Sequence, residues 1–125
     1  MSSPPTVLIV DDDPSHLKLY SWIVERGGFR AAVALVGGRS VAYPENREID
    51  VIALDYRLAS TLTAPQIAIE LHQLFPGAPI IVLSELAWIP ADMAPYAAGF
   101  VSKGEPQNLL ELISQLTGHP VTNKS

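Results

Sequence analysis

The sequence predicts an α/β domain: a doubly wound, five-stranded parallel sheet with helices on both faces. Three observations carry that prediction. Five short runs, residues 6–10, 31–36, 50–54, 79–83 and 99–102, are apolar almost throughout, as strands covered on both faces must be. Longer mixed segments with helical spacing alternate with them. At 125 residues, 48% hydrophobic and 17% charged, the chain also has the size and composition of one domain with one substantial core.

The elements follow in order. MSSPP precedes the first strand, TVLIV. Asp13 and Pro14 then read as a helix N-cap with proline at the first helical position. In PSHLKLYSWIVERGG the apolar residues Leu17, Leu19, Tyr20, Ile23 and Val24 recur at helical spacing until Gly27 and Gly28 stop the helix. The second strand, AAVALV, leads into GGRSVAYPENREI (37–49), which holds at most a short helix before Pro44. After the third strand, DVIAL, the segment APQIAIELHQLF (64–75) reads as a helix ended by PGAP. The fourth strand, PIIVL, is followed by ELAWIPADMAPYAA (85–98). Pro90 and Pro95 each cost about 3 kcal/mol inside a helix, and their spacing leaves no run long enough for a stable one. One or two turns are expected there, so the fourth helix is shortened or irregular. GFVS is the fifth strand, and EPQNLLELISQLTG carries Leu109, Leu110, Leu112, Ile113 and Leu116 along one face, with Gly118 as terminator. The whole of 1–125 reads as a single domain with its core over 6–117 and a tail or linker over 118–125.

Composition excludes several functions. The net charge of −5 comes without any Lys/Arg cluster, which argues against direct nucleic-acid binding. There are 0 cysteines, so disulfides and thiol chemistry are excluded. No apolar run approaches membrane-spanning length and no basic leader precedes one, so a cytoplasmic protein without membrane attachment is expected. No glycine-rich phosphate loop is present. His16, His72 and His119 share no metal-ligand spacing and read as surface or helix-face residues; Trp22 and Trp88 read as core or interface candidates.

What remains is the polar residues at the ends of the strands. Asp11 and Asp12 close the first run, Asp55 the third, Ser84 the fourth and Lys103 the fifth. In a parallel sheet all these ends lie on one edge, where open α/β sheets bind ligands at the reversal of strand order. In the flavodoxin-like order 2-1-3-4-5, strands 1 and 3 are neighbours about 4.8 Å apart, which sets Asp55 beside Asp11 and Asp12. Two carboxylates ~4.5 Å apart at an effective dielectric of ~20 repel by roughly 4 kcal/mol. Protons or a cation must offset that, and a hard divalent ion with oxygen ligands, Mg2+ above all, suits the set. A lysine and a hydroxyl beside such an ion would receive phosphoryl oxygens. Singly, each of these residues is an ordinary cap, loop residue or solvated charge. Together they read as a phosphoryl-transfer site with a carboxylate nucleophile.

With VLIVDDDP, DVIALDYRL, PIIVLS and AGFVSK in that order, the chain resembles the receiver domains of two-component response regulators over residues 6–117. The resemblance implies that Asp55 accepts a phosphoryl group from a histidine kinase or phosphotransfer protein, with Mg2+ bound. It implies Asp12 as principal metal ligand, Asp11 in support, and Arg57 through its backbone carbonyl. Ser84 becomes the switch hydroxyl, Lys103 the cation that pairs with the phosphoryl group, and Phe100 the switch aromatic, which on sequence alone reads equally well as a plain core residue. The domain would then be a signalling module, not an enzyme, acting through an output protein or effector domain, with homodimer formation as another use of its apolar surface.

The chain also departs from the family pattern. DYRLASTLTAPQ lacks the Met-Pro or Leu-Pro that usually follows the acceptor, and Ala64 stands near an expected glycine. Glu85, a bulky anion, follows the switch hydroxyl where a small residue is usual, and Gly104 follows the lysine in place of proline. These departures keep open a pseudo-receiver that binds partners constitutively. A third reading takes VLIVDDDPS as the opening of a haloacid-dehalogenase-type phosphohydrolase, with Asp11 as nucleophile and Asp13 as acid/base. That reading leaves Asp55 unexplained and offers only Glu105 and Glu111 beyond Lys103 for the further acidic pair it needs.

Overall fold

The computed structural model describes residues 3–46, 48–58 and 61–122, and the structural statements here concern those residues. One sheet contains β1 (Thr6–Asp11), β2 (Arg30–Val36), β3 (Val41–Ala42), β4 (Val51–Asp55), β5 (Ile80–Ser84) and β6 (Ala97–Ser102), in the order β3-β2-β1-β4-β5-β6. Three helices accompany it: α1 (Pro14–Arg26), α2 (Ala64–Leu74) and α3 (Pro106–Thr117). The five expected strands are all parallel and reproduce the order 2-1-3-4-5 as β2-β1-β4-β5-β6.

The apolar runs are strands because both of their faces are covered. Leu8, Val10, Ile52, Leu54, Ile80 and Val82 point to one side, where Ala64, Ile67, Ala68 and Leu71 of α2 meet them. Val7, Ile9, Val51, Ala53, Ile81 and Leu83 point to the other, against Leu17, Tyr20 and Val24 of α1 and Leu109, Leu110 and Ile113 of α3. Period-2 alternation along fully buried strands thus feeds two cores at once.

Local chemistry sets the helix ends. The Asp13 carboxylate accepts from the Ser15 amide at 2.9 Å, with Pro14 at the first helical position, as the sequence predicts. At the other end Phe29 N donates to Val24 O at 3.0 Å and Gly28 N to Glu25 O at 3.1 Å, a Schellman closure that needs the left-handed φ of +94° at Gly28. Thr63 and Gln66 form a reciprocal capping box at the start of α2. Gly118, at φ +74°, ends α3.

Two connections differ from the regular pattern. The short helix allowed before Pro44 is absent from the described residues of 37–50. Gly37 N bonds Ser40 O at 2.8 Å and turns the chain straight back, so β3 pairs antiparallel with β2, Leu35 opposite Ala42 and Val36 opposite Val41. Tyr43 and Ile49 then lie against the α2-side core in the helix's place. Between β5 and β6 the prolines act as expected: Met93 N and Ala94 N bond Pro90 O, and Tyr96 N and Ala97 N bond Met93 O, giving successive turns and no helix. Met93 itself is fully buried in the α2-side core. Trp22 and Trp88, at 57% and 67% exposure, are outside the core.

The segment after α3 folds back onto the domain. Thr122 N donates to Gly27 O at 2.9 Å, Val121 packs on the α1/α3-side core, and the His119 ring meets Phe29 edge-on. Of the stretches discussed from sequence, Arg47, Ala59, Ser60 and residues 123–125 lie outside the described residues.

Met93 is fully buried and fastens the β5–β6 connection to the core. Met93→Ala should lower unfolding free energy by about 2–4 kcal/mol, while Trp88→Ala should stay within ~0.5 kcal/mol of the parent. Urea denaturation measures both, and equal losses would show that Met93 is no anchor.

Candidate functional site

The parallel register brings the polar strand ends together. Val10 pairs with Leu54, so Asp11 and Asp55 end adjacent strands side by side, at 1% and 2% exposure. Ser84 ends β5 at 2% exposure, and its carbonyl accepts from the Lys103 amide at 2.8 Å, which stitches the end of β6 to it. Lys103 Nζ reaches back to within 2.8 Å of Asp55 Oδ1. That distance makes a buried ion pair. An open pocket of about 540 Å³ lies over these groups, lined by Asp12, His16, Asp55, Arg57, Glu85 and Lys103 among others.

Electrostatics follows from this crowding. Burial, and next the charge of Asp55, push the Asp11 carboxyl up to about 6, against a backbone hydrogen bond from the Asp13 amide that favours its ionised form. Burial alone would pull the Lys103 ammonium down, but its contact with Asp55 and the charges of Asp55 and Asp11 outweigh burial and raise it. Lys103 therefore stays charged and neutralises one carboxylate of the buried pair. Two buried carboxylates with one lysine to offset them, and Asp12 on the same pocket wall, are an oxygen donor set that fits a hard divalent cation.

The structure thus collects Asp11, Asp12, Asp55, Arg57, Ser84 and Lys103 at one sheet edge. Arg57 is exposed on the pocket wall. The Ser84 hydroxyl accepts from the Leu86 amide at 3.1 Å. Phe100, opposite Val82 on β6, is half-buried against the α2-side core. Asp13, which the phosphohydrolase reading needs as an acid/base, is occupied as the α1 cap, and its hydrogen bonds from the Ser15 side chain and amide hold its carboxyl below the usual range.

Compared with known families, residues 7–114 match the response regulator receiver domain. The chain belongs to the response regulator receiver family. It is 28% identical over 99 residues to the transcriptional regulatory protein GlrR of Escherichia coli, a match covering 79% of this chain and 22% of that protein. The receiver thus spans about a fifth of that relative's length. Among solved structures, a CheY-like response regulator receiver domain protein from Methanospirillum hungatei superposes with a TM-score of 0.77 at 26% identity, covering 94% of this chain and 97% of that one. The fold is shared with the response regulator TrrA of Thermotoga maritima, solved in complex with Mg2+-BeF, at a TM-score of 0.68 and 20% identity, covering 90% and 98% of the two chains. Among the described residues, no helix of this receiver is long and apolar enough to cross a membrane.

Sequence reasoning missed His16 and the Tyr56–Asp92 link. His16, read as a plain helix-face residue, places Nδ1 3.3 Å from Asp11 Oδ2. A signal existed: it occupies the first turn of a helix that begins three residues after Asp11, and helical side chains lean toward the N-terminus. Tyr56 OH donates to the Asp92 carboxylate at 3.0 Å. A separation of 36 residues left no sequence signal for that bond.

The raised Asp11 sets a pH dependence. The folded chain holds this proton to about pH 6, whereas the unfolded chain releases it near the ordinary value of 3.8. The stability it contributes is therefore complete below about pH 4 and is lost as pH rises through 6. With divalent ions chelated, the parent should lose on the order of 1–3 kcal/mol relative to Asp11→Asn between pH 4 and pH 7. Urea titrations at several pH values test this, and parallel pH profiles for the two proteins would refute it.

Proposed function

We propose that this receiver is phosphorylated on Asp55 by a histidine kinase or phosphotransfer protein and signals by altered binding to an output protein or effector domain. The observation that carries the reading is the buried Asp55 carboxylate, ion-paired to Lys103 at the floor of an open acidic pocket. Asp11, Asp12, Asp55 and the Arg57 backbone carbonyl would hold Mg2+. The bound ion would offset the carboxylate charge and attract phosphoryl oxygens.

In the transfer, an Asp55 oxygen bonds to phosphorus as the donor's P–N bond breaks and the donor imidazole leaves with the electron pair. Lys103, already directed at Asp55, pairs with the new phosphoryl charge. Ser84 gives up the Leu86 amide and turns its hydroxyl toward the phosphoryl group. Phe100, half-buried, responds on the neighbouring strand. The output is then a changed surface around β5 and β6, and the chemistry ends at a covalent phosphoprotein.

Glu85 supports a second reading in the same fold. It is exposed on the pocket lining, where an anion repels an anionic donor. A receiver so guarded would be phosphorylated slowly and act mainly by constitutive binding.

Labelling with acetyl phosphate and Mg2+ decides between them. Asp55→Asn should abolish phosphoryl incorporation while leaving the fold intact. Glu85→Ala should label about two- to tenfold faster than the parent, the range given by ~0.5–1.4 kcal/mol of relieved repulsion at a wet pocket edge. Label that persists in Asp55→Asn would refute the acceptor assignment, and no label in parent or Glu85→Ala would favour constitutive binding.

A further inference from the structure

We propose that His16 is a nitrogen ligand to the cation seated between Asp11 and Asp55, and that it biases this seat toward imidazole-binding divalent ions such as Co2+ and Zn2+ and away from Mg2+. The inference rests on the pocket being a metal seat, as proposed above, and adds a ligand and an ion class to it.

The geometry suits a shared ion. One donor atom each from Asp11, His16 and Asp55 lies within 4.8 Å of the other two. His16 Nδ1 and Asp11 Oδ2 are 3.3 Å apart, a long hydrogen-bond contact that a shared ion would replace. Two donors each ~2.1 Å from a single ion, at octahedral or tetrahedral angles, stand roughly 3.0–3.4 Å apart.

The far side of the ring points the same way. Imidazoles that bind metals commonly turn their other N–H toward a carboxylate, which fixes the tautomer and strengthens the donor. His16 Nε2 lies 3.6 Å from Asp13 Oδ2, within ion-pair range and short of a direct hydrogen bond. Asp13 is itself held in place, because its other oxygen accepts from the Ser15 amide and hydroxyl at 2.9 and 2.6 Å. Carboxylate, ring and seat thus lie in sequence along one turn, and with the proton on Nε2 the Nδ1 lone pair would face the ion in place of its contact with Asp11. The His16 side chain is 43% exposed, so the ring closes one side of the seat and leaves the pocket open for phosphoryl oxygens.

An imidazole donor does little for Mg2+, which prefers oxygen and water, but favours Co2+ and Zn2+. Isothermal titration of the parent and His16→Ala with Mg2+ and with Co2+ reads that difference. Co2+ affinity should fall at least about tenfold in the variant, with Mg2+ affinity held within about twofold. The proton NMR spectrum of the Co2+-loaded parent should also show a hyperfine-shifted, exchangeable imidazole N–H that disappears in His16→Ala. A Co2+-to-Mg2+ affinity ratio unchanged by His16→Ala, or no such resonance, would overturn the ligand assignment while leaving the metal seat in place. Failure of both ions to bind the parent would overturn the seat and this inference with it.

Discussion

Everything at this sheet edge answers to one constraint: two carboxylates, Asp11 and Asp55, are buried side by side on neighbouring parallel strands. Taking charge out of water is costly, and placing like charges together compounds it. Lys103 offsets one charge from β6, and the Ser84 carbonyl holding the Lys103 amide keeps that lysine in range. The excess that remains, with burial, is what raises the Asp11 carboxyl to about 6 and what makes the seat receptive to a cation. A sheet that ended in alanines here would lose this strain and the chemistry with it.

How far the fold was legible follows from where each signal lies. Strands such as VLIV and IIVL could be read because burial on both faces leaves no polar position in them, and Asp13-Pro14 and Gly27-Gly28 could be read because caps are local chemistry. The convergence of Asp11, Asp55, Ser84 and Lys103 was legible only through topology, since parallel strands put their carboxyl ends on one edge. β3 was not legible: two residues carry no period, and pairing with β2 depends on a turn at Gly37. Nor was the Met93 anchor, because in a proline-broken segment nothing in the pattern marks which apolar residue turns inward.

The two faces of the sheet are built differently. The α1/α3 side has two full helices, each presenting three buried residues to the sheet. The other side has α2 alone as a helix among the described residues, with Tyr43 and Ile49 covering one flank and Met93 and Tyr96 the other. Side chains on irregular backbone replace helices there, so fewer hydrogen bonds tie the covering layer to itself. Structural change costs least on that flank, and it lies directly beyond Ser84.

That asymmetry bears on how a change at Asp55 would travel. Two links leave the pocket for the β5–β6 connection: Ser84 Oγ receives the Leu86 amide, and Tyr56, next to Asp55, holds Asp92. Met93 remains pinned in the core between them and β6. If Ser84 turns toward a phosphoryl group, the Leu86 amide loses its acceptor and the turn at 85–87 must re-bond. With Met93 fixed and Tyr56 holding Asp92, the rearrangement would fall on the stretch from Glu85 to Ile89, where the Leu86 carbonyl also accepts from Ser102 Oγ at 3.5 Å. This stretch carries Trp88, two-thirds exposed. The largest exposed apolar side chain of the connection therefore sits two residues beyond the amide that Ser84 would release, where repositioning it alters the surface offered to a partner without disturbing either core.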